Sequence, residues 1–261
     1  MNQPYTHQLY IRDSDLPENW DQVSESCIFL QRNYLGVLEN AAPENMQNTF
    51  VGVFEGKKLI ATALFQEIDL AQLNSFGERD HFIVTQVRNF LFRRFASKLL
   101  IVGNNLLSGQ NAYACLPESD EKKVVEKLKE LCLIWPNKPH LTIFKDFTLD
   151  QTKPFQIPAF TSDYPFSSQP NMVFEIKESW KTEADYVADL TKKYRDQLKR
   201  CRKKGSGIWT KELTLDEIVE NEETIYSLYI HVAKNAPFNT FILPETHFSI
   251  FKKQLGEAFI L

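Results

Sequence analysis

Phe50-Val-Gly-Val-Phe-Glu-Gly-Lys-Lys-Leu-Ile-Ala-Thr-Ala-Leu-Phe65 decides the fold class. Two β-rich runs, Thr49–Glu55 and Lys58–Glu67, flank Glu55-Gly56-Lys57, so the stretch reads as a hairpin closed by a glycine-containing turn. Around it, strand and helix patterns alternate. His7–Arg12 reads as a short strand. Leu30, Tyr34, Leu35, Val37, Leu38 and Ala41 mark one face of a helix that stops before Pro43. Phe82–Phe95 carries Phe82, Val87, Phe90, Leu91 and Phe95 at helical spacing and leads into Lys98–Val102, a buried strand of the kind found in parallel or mixed sheets.

Ala112–Leu116 and Leu141–Lys145 read as further strands. Between them, Ser119, Asp120, Glu121 and Lys122 resemble a helix cap with an acidic first turn, and Val124, Val125, Leu128, Leu131 and Cys132 form the helix's apolar face. Phe147–Pro170 is rich in Pro, Ser, Thr and Phe and lacks a period, which suits a boundary. The order then restarts: strand Met172–Ile176, a long helix Ser179–Lys204, strand Ile208–Leu213, and helix Asp216–Ala233 with Ile218, Ile225, Leu228, Tyr229 and Val232 inward. A last helix runs from Pro244 to about Ala258. The expected fold is α+β (mixed α/β), with helices flanking mixed central sheets. Two domains are expected, 1–165 and 166–261, and the second reads as incomplete.

The chain has 261 residues, 43% apolar and 13% aromatic, with a net charge of −4. That composition builds packed cores and excludes disorder. Four separated cysteines form no CxxC pair, and five scattered histidines form no HxH or HExxH spacing, so neither a metal site nor a disulfide framework is indicated. GxSxG and GxxxxGK[ST] are absent, which removes α/β-hydrolase and phosphate-loop chemistry. Without a leader-like N-terminus or a long apolar run, the chain reads as cytoplasmic, with no membrane insertion.

Against this acidic background, Lys192–Lys204 packs eight Lys/Arg into thirteen residues, with Asp196 as the internal acid. Lys192, Arg195, Lys199, Arg202 and Lys203 recur at steps of three and four. Tyr186, Leu190, Tyr194, Leu198 and Cys201 take the opposite side, as a core face. Such a cationic stripe is relieved by a phosphate, a carboxylate or an acidic neighbour. Glu217, Glu220, Glu222 and Glu223 of the next helix are the acidic candidates.

Arg202-Lys-Lys-Gly-Ser-Gly207 fits Q/R-x-x-G-x-G/A, the pyrophosphate pattern of the GNAT acetyltransferase superfamily. A phosphate loop must follow a strand and open a helix, so that free N–H groups and the positive dipole end face the anion. Here the glycines follow a helix, whose carbonyls face the loop. Gly205 is expected instead to end the helix in the left-handed conformation.

Several segments nonetheless resemble a family. Phe29–Glu39, the hairpin and Leu100-Ile-Val-Gly-Asn-Asn-Leu-Leu-Ser-Gly-Gln110 look like the N-terminal half of bacterial GNAT-related proteins. Gln169–Ile176 followed by Lys192–Lys204 looks like the start of a second half. The relatives are Fem-type peptidoglycan bridge-forming transferases and the bacterial acyltransferases grouped with them. The resemblance implies tandem GNAT-like domains. It also implies an enzyme that moves an acyl or aminoacyl group, from acyl-CoA or aminoacyl-tRNA, onto an amine of an anionic, cell-wall-type acceptor. No cofactor is expected to be bound tightly.

In the family, a basic residue near the start of the second domain contacts the acceptor's phosphates. The matching position is Arg195, supported by Lys199 and Arg202; a planar guanidinium can give phosphate two parallel hydrogen bonds. The relatives continue past the point matching Leu261 with the strands that hold the acyl donor, so no catalytic residue is assigned. Two other roles are open for the stripe: binding RNA or tRNA without chemistry, or a structural contact with an acidic helix.

Overall fold

The computed structural model describes residues 4–72, 82–109, 112–167, 174–236 and 239–261. By contact density the chain forms two units, Met1–Ser162 together with Leu213–Leu261, and Asp163–Glu212.

The first unit is mixed α/β. Strands β1 (Tyr5–Tyr10), β2 (Met46–Glu55), β3 (Lys58–Asp69), β4 (Lys98–Val102), β5 (Tyr113–Cys115) and β6 (Leu141–Phe144) make one six-stranded sheet. The path β1-β2-β3-β4 is antiparallel, and β4–β6 is parallel. The twelve-residue β3 takes two partners along one edge: Ala61–Ala63 pair with β5, and Phe65–Asp69 pair with β4. Between β4 and β5 the chain loops out at Gly103, whose φ of 136° is natural only for glycine; an added Cβ would sit 3.3 Å from Lys145 Cβ.

Helices cover both faces, and for that reason Phe50–Phe54 of β2 and Leu59–Phe65 of β3 read as nearly continuous apolar runs. Val51, Val53, Ala63 and Phe65 face α4 (Glu121–Leu133), through Val124, Val125, Leu128 and Leu131. Phe50, Phe54, Leu59 and Leu64 face the other way, onto Trp20 of α1 (Trp20–Val23) and Tyr34, Leu35 and Leu38 of α2 (Arg32–Ala41). Asp120 caps α4, accepting from Lys123 N. The cap falls one residue after the expected Ser119. Helix α3 (Phe82–Phe95) has the expected bounds.

Residues 213–261 complete the α2 side. Helices α7 (Leu215–Glu220), α8 (Glu222–Asn235) and α9 (His247–Leu255) replace the two expected helices, with a break at Asn221. Ile218 is fully buried, but Leu228 and Val232, expected to face inward, are 66% and 70% exposed. Ile250, Phe251 and Leu255 of α9 pack into the α2 core, and Phe251 lies 5.6 Å from the Tyr34 ring.

His247 is buried and its Nδ1 donates to the Ala41 carbonyl, 2.8 Å away. Burial holds its pKa below the ordinary 6.5, and the bond to Ala41 opposes the shift only in part. The unfolded imidazole therefore takes up a proton as pH falls through 6.5 while the folded one resists, so stability drops from that point downward. The urea midpoint should fall between pH 7.5 and 5.5 (about one unit either side of a histidine's pKa). It should fall less in His247→Gln. An equal fall in both proteins would remove His247 as the cause; His7 is shifted the same way and remains in both.

In the second unit the described elements are helices. The long helix expected over Ser179–Lys204 is two helices, α5 (Glu183–Asp189) and α6 (Lys192–Lys204), broken at Leu190-Thr191, both of which are extended. The strand expected at Ile208–Leu213 is absent, as is any strand over Phe174–Ile176; Met172 and Val173 lie outside the described residues. An extended segment becomes a strand only when a neighbour completes its ladder. Instead Phe174, Trp180 and Tyr186 cluster, with ring centroids 5.1–5.9 Å apart.

Candidate anion-binding site

The break sets the geometry of the cationic helix. Thr182 begins α5 with a reciprocal cap: its hydroxyl accepts from Asp185 N, and the Asp185 carboxylate accepts from Thr182 N. Hydrogen bonds from Thr182 hold the Asp185 carboxyl below the usual range. At the other end, Asp189 accepts from Lys177 Nζ and Trp180 Nε1, and those two donors lower its pKa. The C-terminal carbonyls of α5 fall to Arg195, whose Nη1 donates to Ala188 O at 3.1 Å and also to Leu190 O.

Arg195, expected as the leading anion ligand, is thus the clasp of the α5–α6 turn. It is half-buried, and both contacts use Nη1. Arg202 pairs with Glu183 at 2.5 Å, with both side chains more than half exposed. Lys199 is exposed and has no hydrogen-bond or ion-pair partner among the described residues. On one uninterrupted helix the three remain on one face, about 10 Å from first to last at 1.5 Å per residue. Of the four glutamates considered from sequence, Glu217 caps α7 through Thr214 and Glu222 accepts from Ser249.

Helix α6 has no core face. None of its residues is buried; Tyr194 is 54% exposed and Cys201 is also exposed. Tyr186 and Leu190, expected on the same stripe, belong to α5 and the break. The N-terminus of α6 has no side-chain cap, and its first turn carries Lys192 and Lys193 rather than acids. Positive charge is therefore added where the dipole is already positive, a sequence choice that costs helix stability and favours an anion. Gly205 caps the helix with φ −86°, not in the left-handed region. An ordinary turn, Ile208 N to Gly205 O at 2.9 Å, carries the chain onward, and open space surrounds the position of a Gly207 Cβ.

The first unit contains a junction of the right order for a phosphate loop, β5 running into α4, but carboxylates occupy it. Asp120 fills the helix cap, Glu118 pairs with Lys58 at 2.8 Å, and Glu121 accepts from the Tyr113 hydroxyl at 2.9 Å. Burial, reinforced by Glu121, pushes the Tyr113 pKa far up. A pyrophosphate there would meet like charge.

The segment after β4 is also closed. Gly103 N donates to Leu64 O, Asn105 N to Gln66 Oε1 and Leu106 N to Asn104 Oδ1, so these amides are not free to polarise a substrate carbonyl. This network of Asn48, Gln66, Asn104 and Asn105 escaped the sequence reading. The one hint was a polar Gln66 directly after the apolar run Leu59–Phe65, which only Thr62 interrupts.

Comparison with family models, curated proteins and solved structures gives no match. No helix among the described residues is long and apolar enough to cross a membrane, and no described cluster of His, Cys, Asp and Glu could hold a metal ion.

Proposed function

We propose that the chain grips a phosphate-bearing acceptor on α6, as part of an N-acyl- or aminoacyl-transferase with GNAT-like architecture. The observation that carries this is Lys199, solvent-facing and without a partner among the described residues, between Arg195 and Arg202 on a helix whose uncapped N-terminus adds Lys192 and Lys193. The mixed sheet with helices on both faces supports the GNAT-like part, and the resemblance of the hairpin and of Lys192–Lys204 to Fem-type transferases supports the acceptor class. Acyl-CoA or aminoacyl-tRNA is the donor, and it meets the enzyme away from the acidic entrance of α4. The setting is cytoplasmic.

Calorimetric titration with inorganic pyrophosphate tests the grip. Lys199→Ala should weaken binding about five- to tenfold, the size of one charge-assisted contact of roughly 1–1.5 kcal/mol at a solvent-exposed site. Its circular dichroism should be unchanged. Arg195→Ala should instead lower the helical signal, because the α5 carbonyls lose their donor. Equal affinity in Lys199→Ala and wild type would refute the site.

A second reading has one specific observation behind it. Tyr194 and Trp209 are 54% and 79% exposed beside the cations, as a single-strand RNA binder would present them. The same titration with a short oligonucleotide separates the two. RNA binding requires a log–log salt slope of about −0.7 per phosphate contacted, and a flat response excludes it.

A further inference from the structure

Helix α3 has the periodicity of a core helix but presents that face to water. Val87, Phe90, Leu91 and Phe95 are 54%, 68%, 49% and 63% exposed, at positions i, i+3, i+4 and i+8 of one helix. The helix is fixed at its C-terminal end: Ser97 Oγ donates to Arg93 O, and the Ser97 carbonyl accepts from Leu70 N. It packs against the short 3-10 turn Leu70–Gln72.

Charge singles out an occupant for the exposed row. From His81 to Pro117 the sequence contains no Asp or Glu, while Arg88, Arg93, Arg94 and Lys98 fall inside it, in a chain whose net charge is −4. Arg94 stands in the apolar row itself, three residues after Leu91 and four after Phe90, with its guanidinium 5.3 Å from the Phe95 ring. In a protein–protein core such a cation would need a buried acid. At a lipid surface its long stem lies along the apolar layer while its head reaches the phosphates. The usual reason for arginines in a last turn, the helix dipole, accounts for Arg93 and Arg94 but not for four large apolar side chains left in water.

We infer that the solvent face of α3 docks onto an anionic phospholipid bilayer, lying in the interface without crossing it. The inference is independent of the α6 site. Co-sedimentation of the full chain with vesicles is the test, using phosphatidylcholine alone and phosphatidylcholine mixed equally with phosphatidylglycerol. Wild type should bind the mixed vesicles and not the neutral ones. Arg93→Gln with Arg94→Gln should weaken binding about fivefold per arginine, the factor that ~1 kcal/mol per surface cation represents. Phe90→Ser with Phe95→Ser should weaken it about tenfold or more, from lost apolar burial. All four side chains are on the surface, so both variants should keep the wild-type circular dichroism.

Lys199→Gln with Lys203→Gln should leave vesicle binding unchanged. Absence of binding would overturn the inference. So would binding that survives the α3 substitutions and disappears with the α6 pair. A lipid-free mass of two chains that Phe90→Ser with Phe95→Ser returns to one would assign the face to a second copy instead.

Discussion

Phe65→Ala should cost about 3–5 kcal/mol, the range for deleting a fully buried phenylalanine. Phe65 is 0% exposed in the middle of β3, opposite Thr49 on one side and Val102 on the other, with its ring 5.1 Å from that of Trp135. The hole cannot collapse easily. Its walls are sheet backbone and the end of α4, already packed by Leu128 and Leu131. Against a typical total of about 5–15 kcal/mol this is roughly a fifth or more of the stability of the first unit. Urea unfolding followed by tryptophan fluorescence should show a much lower midpoint with an unchanged slope. A loss below about 1 kcal/mol would mean that the sheet does not bury this face as described.

Gln66→Leu conserves volume and removes two hydrogen bonds at the centre of the polar network. Gln66 is fully buried; its Nε2 donates to Asn48 Oδ1 at 2.8 Å and its Oε1 accepts from Asn105 N at 2.6 Å. Leucine would leave the Asn105 amide and the Asn48 oxygen unpaired away from water, about 1–3 kcal/mol for each. The damage should spread along a defined route. Asn105 Nδ2 donates to Thr240 Oγ1 and Asn45 Nδ2 to Thr240 O, each at 3.0 Å, which ties the segment before α9 to the sheet. Faster hydrogen exchange at Asn105 and Leu106, together with lower stability, is the expected result. Wild-type stability would show that leucine's packing offsets the lost bonds.

The parts of the fold legible in sequence were those whose pattern is set by both neighbours at once. Leu59–Phe65 of β3 is buried on both faces and Leu99–Val102 is apolar throughout, so each run, Thr62 apart, reads as an apolar strand. Helix α4 was legible because its five-residue apolar face and the cap signal at Ser119-Asp120, read one residue early, are local. Helix α3 was legible as a helix only. Periodicity states that a face is apolar and says nothing of what covers it.

The second unit was harder for a physical reason. Period alone joined Ser179 to Lys204, whereas the break depends on a side chain five residues further on, Arg195, turning back to the Leu190 carbonyl. The strands expected on either side needed partners that only tertiary structure supplies. Of the site, the cationic stripe was visible as charge at helical spacing. The division of labour within it was not: Arg195 clasps the turn, Arg202 meets Glu183, and Lys199 has no partner among the described residues.

The claim that α6 binds a phosphate-bearing anion is tested most directly by mapping amide chemical shifts during titration of the ¹⁵N-labelled chain with pyrophosphate. Movement should be concentrated in Lys192–Lys204, saturate with added ligand and disappear in Lys199→Glu. Shifts concentrated elsewhere, above all at the β5–α4 junction around Asp120, or the same shifts in the charge-reversed protein, would contradict it.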